Sequence, residues 1–331
     1  MTTRRLQSWS ASWRIGVLWL VLSLLSFQAA AQKALGAVSP HLPLLTPWTT
    51  LRGAFLAAPR PGSAPAKKPG LAGYVSWQFP TVVAARANFV YLLDAGRRQI
   101  FQYDLALQTL TPFSEHSVGA VSALAVAPDL SLYVADIAAR EVLHFSFEGR
   151  LLRKFGNEFE LVRPVAVVLE EFGGKLYIAD SLYKHVVVFN SLGRVLSVLR
   201  SNEARSIEAM AHGPDGLYLL DRLGRQIVVI GRDGGDRYTL GQGTLKMPGA
   251  VAVDRFNRVF VSDSFDNTLK VFEQGQLVAS VGGSGVLPTS FNRVTGLWID
   301  QNMLYVVDSL NARIQTFHIA PPGAPARPLA E

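Results

Sequence analysis

The chain has 331 residues, with 32 Lys and Arg against 25 Asp and Glu, a formal net charge of +7, and no cysteine. The missing cysteines exclude disulfides, thiol nucleophiles and thiolate metal sites together. Eight of the positive charges and none of the negative ones precede residue 70, which leaves about −1 for residues 70–331 and excludes the net excess of a nucleic-acid binder.

Arg4, Arg5 and Arg14 precede an uncharged run from Ile15 to Phe27, and Ala29, Ala30 and Ala31 follow it. A charged head, a short apolar middle and a small-residue exit are the parts of a secretory signal peptide, here residues 1–31. The run is shorter than the roughly 20 residues that cross a bilayer as a helix. A periplasmic or secreted protein with no transmembrane span after cleavage is therefore expected, the alternative being a membrane tether made by an uncleaved signal. Arg4-Arg5 leaves general and twin-arginine export both open.

Residues 32–69 carry Pro at 40, 43, 47, 59, 61, 65 and 69 and no Asp or Glu. Neither hydrophobic periodicity is present, so this basic, Pro/Ala-rich block reads as a mostly disordered tether. Its TPWTTLRGAFLAAP stretch reads as at most a short apolar patch.

From residue 70 the chain repeats itself. Six apolar strands end on an Asp: VYLLD at Asp94, LYVAD at Asp136, LYIAD at Asp180, LYLLD at Asp221, VFVSD at Asp263 and LYVVD at Asp308. Their spacings of 42, 44, 41, 42 and 45 residues are those of a repeat architecture. In each period an apolar strand such as TVVAA or VAVVL precedes the Asp strand, and a third such as QIFQYD or HVVVFN follows a short polar loop. In most periods a turn (FEGR, SLGR, RDGG, EQGQ) leads to a weaker fourth strand. Strands at this spacing with these turns are antiparallel hairpins. A lone four-stranded sheet cannot bury both faces, and radial stacking around an axis buries them between neighbours.

The fold expected for residues 70–320 is thus all-β, a six-bladed β-propeller of four-stranded antiparallel blades. The sixth copy has only three strands before the Pro/Ala-rich tail 321–331, so an N-terminal strand must complete the last blade. Tyr74–Phe79 is the expected segment. Deletion of residues 70–79 should then cost the fold far more than deletion of the tether before them.

Pro248-Gly249 with Val261-Ser262-Asp263-Ser264, Pro164 with Tyr177 to Phe189, and Tyr305 to Phe317 with Asp308, Ser309, Asn311 and Arg313 carry a family pattern. It is a Pro-hydrophobic opening strand, a Tyr-Val-Ala-Asp-Ser strand, Asn and basic loop residues, and a strand closing on Phe. Over residues 70–320 the chain resembles the NHL-repeat propellers, in particular exported bacterial ones. Copies one, two and four match more loosely, with Ala, Ile or Arg after the Asp. The six repeat Asp residues read as blade-building devices whose carboxylates accept hydrogen bonds from the amides of their own loops.

Enzymes with related propellers work at the central channel, so the resemblance raises a metal-dependent lyase or lactonase-like enzyme as the alternative, with calcium or another divalent ion there. The histidines are not spaced for three zinc ligands converging on the axis. Among the residues that open the first strands (Thr81, Ser122, Val165, Glu208, Gly249 and Thr295) Glu208 is the single carboxylate and the candidate axial ligand or base. No catalytic residue is otherwise expected, and no metal or cofactor in the main reading.

One constellation recurs on one face. Four residues after each repeat Asp stand Arg98, Arg140, Lys184, Arg225, Asn267 and Ala312, with Arg97 and Arg313 adjacent. With Tyr183, Phe265 and Arg222 as further contacts, this arc is expected to bind a protein or an anionic glycan. Glu141, Asp266 and Glu208 partly offset it. The protein then acts as a rigid, monomeric binding scaffold.

Overall fold

A computed structural model of the protein describes residues 44–57, 73–114, 119–156, 160–170 and 174–322. Leu44–Ala320 form one compact unit. Its sheets follow the repeat. Blade 2, for example, runs Val121–Val126, Leu132–Asp136, Glu141–Phe145 and Leu151–Phe155 in sequence order, inner strand to outer. Blades 3, 4 and 5 repeat that order over Pro164–Leu199, Ala209–Leu240 and Pro248–Gly282. The fold is therefore the expected all-β, six-bladed propeller, and one 3-10 turn at Ser309–Asn311 is its single helical element among the described residues.

Alternating Val, Leu and Ile put apolar side chains on both faces of each sheet, and those faces meet in six buried clusters, one for each neighbouring pair of blades. The cluster that joins the ends of the chain decides the architecture. It packs Val83, Leu92 and Phe101 of blade 1 against Tyr305, Val307 and Ile314 of blade 6. The ring is closed.

A strand from the N-terminal side completes the last blade, as expected, but it is not Tyr74–Phe79. Leu45–Leu51 pairs antiparallel with Arg313–Ile319, from Leu45 opposite Ile319 to Leu51 opposite Ile314. Leu45 and Leu51 are buried in two different inter-blade clusters. Thr316 reinforces the seam, its hydroxyl donating to the Thr49 carbonyl and accepting from the Thr49 amide. Tyr74–Ser76 instead pairs with Gly53–Leu56, and Gly53–Leu56 runs parallel to Thr109–Pro112, so blade 1 becomes a six-stranded sheet. The part of the expected tether between Leu45 and Leu56 is thus two strands of the propeller. Pro47 and the proline-rich block around it hid a strand whose partner lies more than 260 residues away. The signal-peptide reading, 1–31, lies outside the described residues, as does the tail reading, 321–331, beyond its first two residues.

Prolines open the inner strands of blades 1, 3 and 5, at Pro80, Pro164 and Pro248. The first residue of a strand tolerates a missing amide donor. In five blades the register slips within three residues of that start, a bulge shared by Pro80/Val82, Val121/Ala123, Pro164/Ala166, Pro248/Ala250 and Val294/Gly296.

Candidate binding face

Each repeat Asp is buried, and its carboxylate holds two pieces of chain at once. Asp180 accepts the amides of Leu182 and Tyr183 in its own turn, and those of Val162 and Arg163 in the connection entering the inner strand. Asp94 and Asp136 make the same four-way contact; Asp263 accepts three amides with Lys270 Nζ as its fourth donor, and Asp221 accepts three amides together with the Ser206 hydroxyl and the Gln226 side-chain amide. In five blades the carboxylate accepts amides of its own loop; Asp308 takes instead the Asn311 side-chain amide and the Arg313 guanidinium. The clasp on the incoming connection was not foreseen, because its donors lie about 16 residues upstream. Burial acts to raise the carboxyl pKa of Asp136, Asp221 and Asp263, but the converging amides outweigh it and hold all three below the ordinary carboxylate range.

This clasp puts the second-to-third-strand turns and the starts of the inner strands on one face. Every turn ends in a left-handed residue: φ is 52° at Arg98, 58° at Arg140, 51° at Lys184, 53° at Arg225, 53° at Asn267 and 49° at Ala312. Asn takes that conformation readily; Arg and Lys do not. Arg98, Arg140, Lys184 and Arg225 are all exposed, as are Arg222, Tyr183 and Phe265. Among the described residues none of these five cations makes an ion pair. The acids expected to offset them are engaged elsewhere, Glu141 with Lys154 at 2.9 Å and Asp266 with Lys270 at 2.7 Å. The arc therefore runs across blades 1 to 4 and stops at Asn267.

Two expected contacts leave the face. Arg313 is five residues after its Asp, so it is the first residue of the third strand and stands directly opposite Asp308. It is 2% exposed, donates Nε to Asp308 at 2.7 Å, and donates its remaining nitrogens to the carbonyls of Val286, Leu287 and Ser290. Its role is to hold a loop. Arg97 is half-buried and donates to the Ser76 carbonyl, beside Asp94 at 3.6 Å. It ties the extra strand of blade 1 to the turn.

The structure also sets Phe265, an expected contact, in a column of apolar residues whose other members sequence reasoning missed. The position two residues after the repeat Asp is Leu182, Leu223, Phe265 and Leu310 in four blades, and these are 60%, 71%, 68% and 53% exposed. Val286 and Leu287, on the loop that Arg313 holds, are exposed as well. The alignment that revealed the cations places these apolar residues in the same column. Scattered exposed leucines mean little, but a periodic set on one face is a patch.

The central channel has a volume of about 860 Å³ and is lined by Val, Ala and Leu from the inner strands together with charged residues that include Arg86, Glu170, Arg232, Asp254, Arg255 and Asp300. Glu208 is exposed at its rim on the same face. It has no converging donors there: the Ser122 hydroxyl is committed to the Pro164 carbonyl and the Thr295 hydroxyl to the Thr81 carbonyl. Trp298 donates to the Ala85 carbonyl at 2.6 Å and packs against inner-strand residues of blades 1, 2 and 3. The histidines are dispersed. His144 stacks on Tyr133, with its pKa lowered by burial and partly restored by Asp129; His212 stacks on Tyr177, and His318 faces Trp48. Among the described residues no group of three or more His, Asp or Glu side chains converges as metal ligands.

No protein-family model and no curated protein matches the chain. Solved structures do match. A Bacteroides thetaiotaomicron protein described as of unknown function superimposes with a TM-score of 0.58 at 17% identity, over 82% of this chain and 76% of that one. Virginiamycin B lyase from Staphylococcus aureus gives 0.55 at 10% identity, over 73% and 95%. A streptogramin B lyase gives 0.53 at 11%, over 73% and 93%. At these identities the likeness is one of fold.

Proposed function

We propose that the protein is an exported NHL-type propeller that serves as a rigid scaffold for an acidic protein partner, docked on the turn face through Arg98, Arg140, Lys184, Arg222 and Arg225. One observation carries the reading. Four cations occupy left-handed turn positions, where Gly or Asn would sit more easily, and none is engaged in an ion pair among the described residues. Leu182, Leu223, Phe265 and Leu310 interleave with them, and this favours a protein over an anionic glycan, because a glycan offers no comparable apolar surface. Export is inferred from the charged head, apolar run and small-residue exit of residues 1–31.

The test is a capture experiment with the immobilised protein and a variant carrying R98E, R140E, K184E and R225E. A partner held by the parent, released by salt and lost by the variant supports the reading. A partner retained equally by both removes this face from consideration. Retention on heparin without protein capture would favour the glycan instead.

A further inference from the structure

The outermost strand of each blade leaves one row of amides and carbonyls without a strand neighbour, and this chain treats those edges differently. Blade 1 is covered by Gly53–Leu56, one of its own segments added in parallel. Blade 6 ends on a strand containing Pro47, blade 2 on one with Arg153 and Lys154, and blade 4 on one with Asp236 and Arg237. Prolines and charges are the usual guards against further pairing. Blade 3 ends on Val195–Leu199, sequence VLSVL, with no proline or charge within the strand. Val195, Leu196 and Val198 are exposed there. Blade 5 is unguarded along Gln276–Gly282 too, but its turn carries Glu273 and its far end is Gly282 at φ 114°.

We infer that Val195–Leu199 is a strand-addition site, taking an extended segment of another protein that alternates apolar residues and carries an acid at each end. Charge selects that occupant. Arg194 and Arg200 bracket the strand, both exposed, and Arg153 of blade 2 reaches the turn before it, donating to the Leu192 carbonyl at 2.5 Å. No acid lies between residues 191 and 200. A second copy of the chain is disfavoured: antiparallel self-pairing centred on Ser197 sets Arg194 of one copy against Arg200 of the other. The protein's own remaining segments are disfavoured as well, since residues 1–43 contain no acid and residues 321–331 contain four prolines. Arg200 also donates to the Tyr183 carbonyl at 3.4 Å, so this end of the edge adjoins the turn face, and blade 1 shows the same mode of extension within this chain.

Arg194 and Arg200 are six residues apart, so the probe is the labelled peptide acetyl-Glu-Val-Thr-Val-Thr-Val-Glu-amide, followed by fluorescence anisotropy on the full protein. Saturable binding is expected, at least ~10-fold weaker for the analogue with Lys at both ends. The double variant R194E/R200E should reverse that preference. Two further peptides, N-methylated on alternate residues, separate backbone pairing from greasy contact. One set should abolish binding and the other preserve it, since only alternate amides face the edge. Equal binding of both methylated peptides, equal binding of the Glu and Lys forms, or no binding would overturn the inference. So would concentration-dependent self-association abolished by V198K, because the edge would then serve a second copy.

Discussion

Replacing the four turn cations with glycine should make the protein more stable while removing its binding face. A left-handed conformation costs an L-residue about 1–2 kcal/mol, and glycine's greater loss of freedom on folding takes back ~0.5–1 kcal/mol. The net gain is therefore about 0.5–1 kcal/mol at each of Arg98, Arg140, Lys184 and Arg225, whose φ values all lie between 51° and 58°. These residues are exposed, unpaired and on four different blades, so their effects should add to roughly 2–4 kcal/mol. For a cooperative unit spanning Leu44–Ala320 that raises the thermal midpoint by about 3–7 °C. Urea unfolding of the parent and the variant R98G/R140G/K184G/R225G, compared at equal m, reads the gain directly, and the capture experiment reads the loss of binding. A variant less stable than the parent would mean that these side chains hold the turns together. A stabilised variant that still captures the partner would mean that the strain serves something other than recognition.

The closing strand is tested by L45A and L51A, each expected to cost about 2–5 kcal/mol in urea unfolding because each empties a buried site in a different inter-blade cluster. W48A, on an exposed side chain of the same strand, should change stability by under ~0.5 kcal/mol. Losses below ~0.5 kcal/mol for both leucines would leave the seam without energetic weight. R313M should cost about 3–5 kcal/mol, since it strands the Asp308 carboxylate in the interior, whereas R98M should be nearly neutral; thermal melts that rank them the other way would return Arg313 to the surface. Asp136, Asp221 and Asp263 have folded pKa values below their unfolded ones. The stability they contribute is complete above the unfolded value near ~4 and disappears as pH falls through the folded values. Urea midpoints that stay flat from pH 5 down to the acid transition would contradict this. Finally, Gly216 has φ 131°, and a Cβ there would lie 2.2 Å from the Ile230 carbonyl oxygen, so G216A should cost about 3 kcal/mol or more by chemical denaturation.

The repeat period and its strand grammar were legible because they are local: alternation sets which faces are apolar, turn residues set the hairpins, and six copies of a unit too thin to stand alone imply a ring. The basic column four residues after each Asp was legible for the same reason, and so, unnoticed, was the apolar column two residues after it. Which segment closes the ring was not. Leu45–Leu51 carries a proline and sits in a proline-rich block, and only its partner Arg313–Ile319 makes it a strand. Arg313 and Arg98 differ by one position relative to their repeat Asp. That single step moves the side chain from a left-handed turn into a paired strand, and so from solvent to the interior. Local pattern decides what each unit is, whereas contacts between distant parts of the chain decide which unit end meets which and where a given charge comes to rest. Pairing and burial over such separations depend on where the rest of the chain lies, a quantity no short window of residues contains.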